Sequence, residues 1–137
     1  MNLDFYIEKI NRILLQYPHH LNFLTSVSFQ QKFHDFIKND IALLIKDEHY
    51  ASAFSCLMYL LLVLSEYQLD ETSYNILLNE ISLTILNMYN EAPDYDRHLI
   101  YVTLMHMKTD GFNKSGLKSI TKLINTIKLL YEKEKKL

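Results

Sequence analysis

The stretch ASAFSCLMYLLLVLS, residues 51–65, decides the fold because it is mostly apolar and contains no charged residue. Its length falls short of the roughly 20 residues that a helix needs to cross a bilayer. Asp47, Glu48 and Glu66 flank it, and residues 47–66 contain no lysine or arginine that could act as a membrane anchor. We therefore predict a central helix over about 48–66 that is buried on nearly every side.

The rest of the chain also favours helices joined by short connections. Gly and Pro number only two each among 137 residues, too few for the many turns of a β-rich fold. Apolar residues recur at the i, i+3, i+4, i+7 spacing of helices. We predict a single all-α domain over residues 1–137, with six to seven helices in a compact antiparallel bundle or in stacked helical hairpins. The predicted segments are 3–17, a short turn at 20–25, 28–46, 48–66, 71–90, 94–109 and a last helix from Ser115, with a frayed tail at 132–137.

The segment 28–46 has a candidate cap at its start and a candidate break in its middle. Ser28 is predicted to cap its start, because a serine side chain accepts a hydrogen bond from the first free backbone N–H groups of a helix. Asn39 and Asp40 are poor helix formers and mark a candidate break in the middle. The residues expected to face the core in this segment are Phe29, Phe33, Phe36 and Ile37.

Cys56 is the single cysteine and lies inside the apolar stretch 51–65. It has no partner for an intramolecular disulfide, and a reducing compartment suits it best, so we expect a cytoplasmic protein. The neighbouring side chains of Phe54 and Leu57 are apolar, whereas a nucleophilic cysteine needs a polar, electropositive setting. We predict that Cys56 is a buried structural residue.

Motifs for catalysis and for cofactor binding are missing from the sequence. A phosphate-binding loop needs more glycines than Gly111 and Gly116 provide, and none of the signatures H-E-x-x-H, E-x-x-H and G-x-S-x-G occurs. The six histidines have no cysteine partners that would complete a zinc site. We expect no enzyme activity, no catalytic residue, no metal, no cofactor, no small-molecule substrate and no membrane partner.

The charges are segregated along the chain. Most of the acids between positions 47 and 96 lie at predicted helix starts, where a carboxylate caps N–H groups and suits the helix dipole. Glu66 and Glu91 lie at helix ends instead, where the dipole disfavours an acid and would favour a lysine. The segment contains no lysine or arginine, and its nine acids are Asp47, Glu48, Glu66, Asp70, Glu71, Glu80, Glu91, Asp94 and Asp96.

Hairpin topology would gather part of this charge at one corner of the fold. If the helices 48–66 and 71–90 pack antiparallel, the start of the first lies beside the end of the second. Asp94 or Asp96, predicted to cap the following helix, would then approach the same place. Tyrosine offers rigid contact area, and opposite charge speeds association with a basic protein. The residues predicted to bind a partner here are Asp47, Glu48, Tyr50, Tyr89, Glu91, Asp94, Tyr95 and Asp96.

In general character the chain resembles the immunity proteins of bacterial toxin–immunity pairs, those that protect a cell from contact-dependent or colicin-like nucleases. The resemblance rests on small size, helical patterning and the acidic, aromatic segments 47–50 and 89–96. It implies a stoichiometric inhibitor that binds a cognate toxin domain and blocks its active site or substrate path. These families differ widely in sequence and fold, so no residue role is carried over from them.

The last helix leaves two alternatives open. From Tyr101 onward eight lysines face three acids, and Lys114, Lys118 and Lys122 recur every four residues along one helix face. A helical adaptor or regulator could bind another protein through this face. A nucleic-acid-binding regulator could use it to follow phosphates, although the domain is slightly acidic overall, with a net charge of −2.

Overall fold

The structure, a computed structural model, describes residues 3–135 of the chain. The elements are α1 (Leu3–Leu14), α2 (Phe23–Phe36), a π-helical segment (Ile37–Ile41), α3 (Ala42–Lys46), α4 (Tyr50–Leu64), α5 (Glu71–Glu91), α6 (Asp94–Met105) and α7 (Lys114–Lys135). The π-helical segment joins α2 to α3 without interruption, so the described residues form six helical rods. The prediction of a compact all-α fold with six to seven helices is confirmed. Of the tail predicted at 132–137, residues 132–135 continue α7, and 136–137 lie outside the described residues.

Helices α4 and α5 together occupy the centre of the fold. α4 packs against α1, α3, α5 and α6, while α5 packs against α2, α4, α6 and α7. The predicted burial of α4 on nearly every side is wrong for one stripe, because Ala51, Ser55 and Leu62 are exposed. Among residues 3–135 no helix combines the length and apolar character that crossing a bilayer requires. The residues of α4 that are at most 1% exposed are Ala53, Cys56, Leu57, Leu60, Leu61 and Leu64.

Cys56 lies in this core with no exposed surface, as predicted. Burial raises the pKa of its thiol to about 11, and the Asp40 carboxylate adds to the rise. A thiol that stays protonated at neutral pH is a poor nucleophile.

The helix predicted at 28–46 begins earlier than expected. Asn22 caps α2, because its side chain accepts the N–H of Thr25 at 2.9 Å while the Thr25 hydroxyl accepts the N–H of Asn22 at 2.9 Å. This reciprocal capping box replaces the predicted cap at Ser28, whose hydroxyl instead lies 2.7 Å from the Tyr17 hydroxyl. The predicted inward face is confirmed, since Phe29 and Phe33 are fully buried.

The polar pair Asn39 and Asp40 does not break this rod. It lies in the π-helical segment, where each turn takes up an additional residue. The Asp40 carboxylate accepts hydrogen bonds from Lys9 at 2.9 and 3.0 Å, which ties the segment to α1. Both Ile37 and Ile41 face the core, while Asn39 is exposed and Asp40 is half-buried.

Helix α6 ends at Met105, before the predicted end at position 109. In its last turn the Val102 carbonyl accepts the N–H of His106 at 3.2 Å and also lies 2.8 Å from the His106 ring. The chain then crosses the end of α4, where a Cβ on Gly111 would lie only 3.1 Å from Cβ of Ser65. A glycine at this position lets the chain pass close to the end of α4.

Candidate functional site

The connection between α3 and α4 is a tight turn at Asp47 and Glu48. The N–H of His49 donates to the Leu44 carbonyl at 2.8 Å, and the N–H of Glu48 donates to the Ile45 carbonyl at 3.0 Å. These two hydrogen bonds define a Schellman motif, in which the residue after the C-cap adopts a left-handed conformation. Glu48 occupies that position.

The backbone of Glu48 is strained. Its φ angle is 63°, and it is the one non-glycine residue within 3–135 that has a positive φ. The left-handed conformation costs an L-residue with a side chain about 1–2 kcal/mol, which is why glycine usually stands there. A strained residue at a candidate binding surface suggests that its side chain is retained for function.

The Tyr50 hydroxyl marks where three segments of the chain converge. Burial raises the pKa of Tyr50, and the carboxylates of Glu48, Glu91 and Asp96 raise it further. These carboxylates come from the α3–α4 turn, the end of α5 and the start of α6. The structure therefore brings together the segments that the hairpin argument placed side by side.

We call the carboxylates of Asp47, Glu48, Glu91, Asp94 and Asp96 the acidic corner. Four of them are exposed, and Asp96 is half-buried. Within residues 3–135 none of the five forms an ion pair, and none accepts a side-chain hydrogen bond. The predicted cap at Asp94 or Asp96 is wrong, because Pro93 occupies the N-cap of α6 and both aspartates follow it in the first turn. There they still face the positive end of the α6 dipole.

The three tyrosines predicted for this surface differ in exposure. Tyr95 is 82% exposed, whereas Tyr50 is 8% exposed and Tyr89 is fully buried. Burial, with a contribution from Glu134, raises the pKa of Tyr89 to about 12, although Arg97 lowers it. Only Tyr95 can therefore lie against a partner, while Tyr50 and Tyr89 support the acidic corner from beneath.

Arg97 supplies the positive charge that the sequence of α5 lacks at its end. Its guanidinium donates hydrogen bonds to the carbonyls of Tyr89 at 3.0 Å and Asn90 at 2.8 Å, and to Glu134 at 3.1 Å. It also lies 5.5 Å from the centre of the Tyr89 ring. Sequence reasoning missed this role because Arg97 belongs to α6, and the contact depends on how α6 folds back against α5.

Two other acids of the segment 47–96, Glu80 and Glu71, have side-chain partners within the fold. Glu80 lies 2.5 Å from the His34 ring, and Glu71 accepts a hydrogen bond from the Ser115 hydroxyl at 3.2 Å. His98 lies 2.6 Å from the Tyr131 hydroxyl. Over residues 3–135 no group of three or more histidine, cysteine or acidic side chains is arranged to hold a metal ion. The acidic corner thus offers a concentrated negative surface with one exposed aromatic ring.

Comparison of the chain with protein-family models, with curated proteins and with solved structures found no match. The basis for inferring a function is therefore the chemistry of the chain's own residues. Its main features are the carboxylates of the acidic corner, the strained Glu48 and the exposed ring of Tyr95.

Proposed function

We propose that the chain is an immunity protein that acts in the bacterial cytoplasm. It binds a cognate toxin domain with fixed stoichiometry and neutralises it by protein–protein contact. The toxin is a nuclease, since a protein that holds RNA or DNA needs a basic surface. The binding surface is the acidic corner together with Tyr95.

The observation that carries this proposal is a set of five carboxylates without an ion-pair partner within residues 3–135. Like charges brought close together destabilise a fold unless a partner of opposite charge compensates for them. A basic toxin surface would be attracted to the acidic corner over several ångströms, and its association would be fast and salt-dependent. The strained Glu48 supports the same conclusion, because glycine at this position would stabilise the turn.

The test is charge reversal in the double variant Asp94→Lys/Asp96→Lys. Wild-type protein, used as bait in its native host, is expected to capture a single toxin fragment in stoichiometric amount, identified by mass spectrometry. The double variant is expected to associate with that fragment about 10–100-fold more slowly at low salt. Cells that produce the toxin should lose protection when they contain this variant.

A matched control separates the acidic corner from general effects of charge. Asp94 begins α6 and Glu71 begins α5, so both occupy the first position of a helix. Asp94→Lys and Glu71→Lys should therefore lose similar helix-dipole energy, about 0.3–1 kcal/mol each. Only Asp94→Lys should weaken binding and protection. Full protection by the double variant would rule out the acidic corner as the toxin-binding surface.

A second candidate function is that of an adaptor that binds an acidic protein through α7. Lys118 and Lys122 are exposed, and Lys122 borders a depression of about 330 Å³ whose apolar lining includes Leu83, Leu86 and Leu123. This function predicts that Lys118→Glu/Lys122→Glu, and not reversal of the acidic corner, abolishes capture of the partner. Salt-dependent retention on RNA or DNA, lost in the same variant, would indicate a nucleic-acid-binding regulator instead.

A further inference from the structure

A shallow groove runs between α4 and α6 on the outside of the fold. It consists of two adjoining depressions of about 280 and 440 Å³, which share the side chains of Met58, Leu62 and Thr103. One depression extends to Leu99 and the other to Val102. We call this feature the α4–α6 groove.

Large apolar side chains in the groove are exposed. Leu62 is 60% exposed, Leu99 is 37% exposed and Val102 is 36% exposed, with Met58 and Met107 partly buried beside them. Single exposed leucines are common on protein surfaces, but several that line one depression are typical of an interaction site. Methionine adapts its shape readily and recurs in grooves that accept helices.

The groove leads directly to the acidic corner. On α4, Phe54 and Met58 follow Tyr50 at intervals of four residues and share its face. On α6, Leu99 follows the exposed Tyr95 by four residues and so lies one turn further along the same face. Both helices begin at the acidic corner and run away from it, because α5, which joins them in sequence, runs back in the opposite direction.

The two ends of the groove carry opposite charge. The carboxylates of the acidic corner lie at one end, and Lys108 borders the other. The basic residues closest in sequence to the acidic corner are Lys46, beside Asp47, and Arg97, whose guanidinium is bound to the α5 carbonyls and Glu134. The corner end of the groove therefore remains negative.

We propose that the α4–α6 groove binds an amphipathic helix of the partner protein. The apolar side chains of this helix pack on Met58, Leu62, Leu99 and Val102, and lysine or arginine residues at one of its ends face the acidic corner. The distance from Phe54 to Leu62 along α4 is about 12 Å, so the groove fits two to three turns of helix. The inference rests on the proposed function in taking the toxin as the partner, and it adds the chemistry by which the toxin is recognised.

The test uses peptides as the partner, so that the toxin itself is not needed. A phage-displayed library of peptides about 16 residues long, enough for a helix of about 24 Å, is selected on the whole protein. Selected peptides are expected to carry apolar residues at i, i+4 and i+7 and to have lysine or arginine concentrated at one end. Leu62→Glu and Val102→Glu should weaken their binding by about tenfold or more, as measured by fluorescence anisotropy.

Two controls define the site. Leu129→Glu changes an equally exposed leucine on α7, 70% exposed, and should leave peptide binding unchanged. Asp94→Lys/Asp96→Lys should weaken the binding of peptides with a basic end. It should not affect the binding of the same peptides after their basic residues are replaced by glutamine. Unfolding curves are expected to show that these surface variants remain folded.

Three outcomes would overturn the inference. The first is that the selected peptides lack a basic end. The second is that Leu62→Glu leaves the binding of the selected peptides unchanged. The third is a wild-type dimer in sedimentation experiments that Leu62→Glu converts to a monomer, because a second copy would then fill the groove.

Toxin protection separates this inference from the proposed function. If Leu62→Glu still protects cells fully while reversal of the acidic corner does not, the function stands and the groove is not the toxin's binding site. If the peptides behave as expected but the native host yields no toxin, the groove stands and the immunity function fails.

Discussion

The two ends of the α4–α5 hairpin both carry carboxylates at helix termini, but they differ in how those termini are held. At the far end, formed by the loops 15–22 and 65–70, hydrogen bonds join distant parts of the chain. The His19 ring lies 2.9 Å from the Glu66 carbonyl, and the N–H of Leu21 donates to the Gln68 carbonyl at 2.9 Å. The far end is therefore held together by contacts within the fold.

The acidic corner is held by one side chain, Arg97, which joins α6 to the end of α5 and to Glu134 of α7. Its backbone is stabilised by local turn hydrogen bonds and by Arg97, while its carboxylates have no ion-pair partner within residues 3–135. It also contains the strained Glu48. The far end is thus tied together through backbone groups of Glu66, Gln68 and Asp70, whereas the acidic corner gathers five carboxylates that form no ion pair within residues 3–135.

Arg97→Met should have the largest effect on stability. The substitution removes charge-assisted hydrogen bonds to two carbonyls at the end of α5 and to Glu134, so we expect the free energy of unfolding to fall by about 2–3 kcal/mol in urea denaturation. Arg97→Lys keeps the charge but not the planar fork, and should lose about half as much. An unchanged midpoint for Arg97→Met would show that the end of α5 does not depend on this contact.

Ser26→Ala tests the far end. The Ser26 hydroxyl is fully buried and accepts the N–H of Asp70 at 2.8 Å, so its removal leaves that N–H without its acceptor. We expect a loss of about 1–2 kcal/mol in the free energy of unfolding and no change in partner association. Ser55→Ala, on the exposed stripe of α4, is the control and should stay within about 0.5 kcal/mol of wild type. A change in affinity for the proposed toxin partner in Ser26→Ala would contradict the placement of the binding surface at the acidic corner alone.

Glu48→Gly tests the acidic corner with a substitution that should stabilise the fold. Glycine adopts the left-handed conformation without strain, so we expect the free energy of unfolding to rise by about 1 kcal/mol while association with the proposed toxin partner slows. Asp47→Gly is the control, because Asp47 has a φ of −85° and glycine there relieves no strain. Unchanged association in Glu48→Gly would mean that the Glu48 side chain is not retained for binding.

The smallest expected effect concerns two tyrosines, one at each end. Burial raises the pKa of Tyr74 at the far end, whereas burial and then Glu48, Glu91 and Asp96 raise that of Tyr50. Glu91→Gln should lower the pKa of Tyr50 and leave that of Tyr74 unchanged in an NMR titration of the ring carbons. An equal change at both tyrosines would contradict the placement of Glu91.

The raised pKa of Tyr50 also affects the stability of the fold at alkaline pH. A tyrosine in the unfolded chain loses its proton near pH 10, while folded Tyr50 keeps it to higher pH. The free energy of unfolding therefore falls as the pH rises above about 10, and Glu91→Gln should reduce that fall in alkaline denaturation curves.

The sequence by itself determined the helices and their buried faces. On α5, Tyr74, Leu77, Ile81 and Met88 recur at helical spacing and are all buried, and Cys56 is buried as its apolar neighbours indicated. These features follow from local periodicity, because residues three and four apart share one face of a helix wherever that helix lies. The convergence of acids beside Tyr50 also followed, since consecutive antiparallel helices must place the start of one beside the end of the other.

Only the tertiary structure decided which of those residues are exposed at the surface. The burial of Tyr89, the capping of α5 by Arg97 and the α4–α6 groove all depend on contacts between helices that are separate in sequence. The capping box at Asn22 and the π-helical segment likewise differ from what propensity suggested at Ser28 and Asn39. Local preferences of about 1 kcal/mol are smaller than the free energy gained by burying a large apolar side chain. Core packing therefore decides which of several locally acceptable conformations the chain adopts.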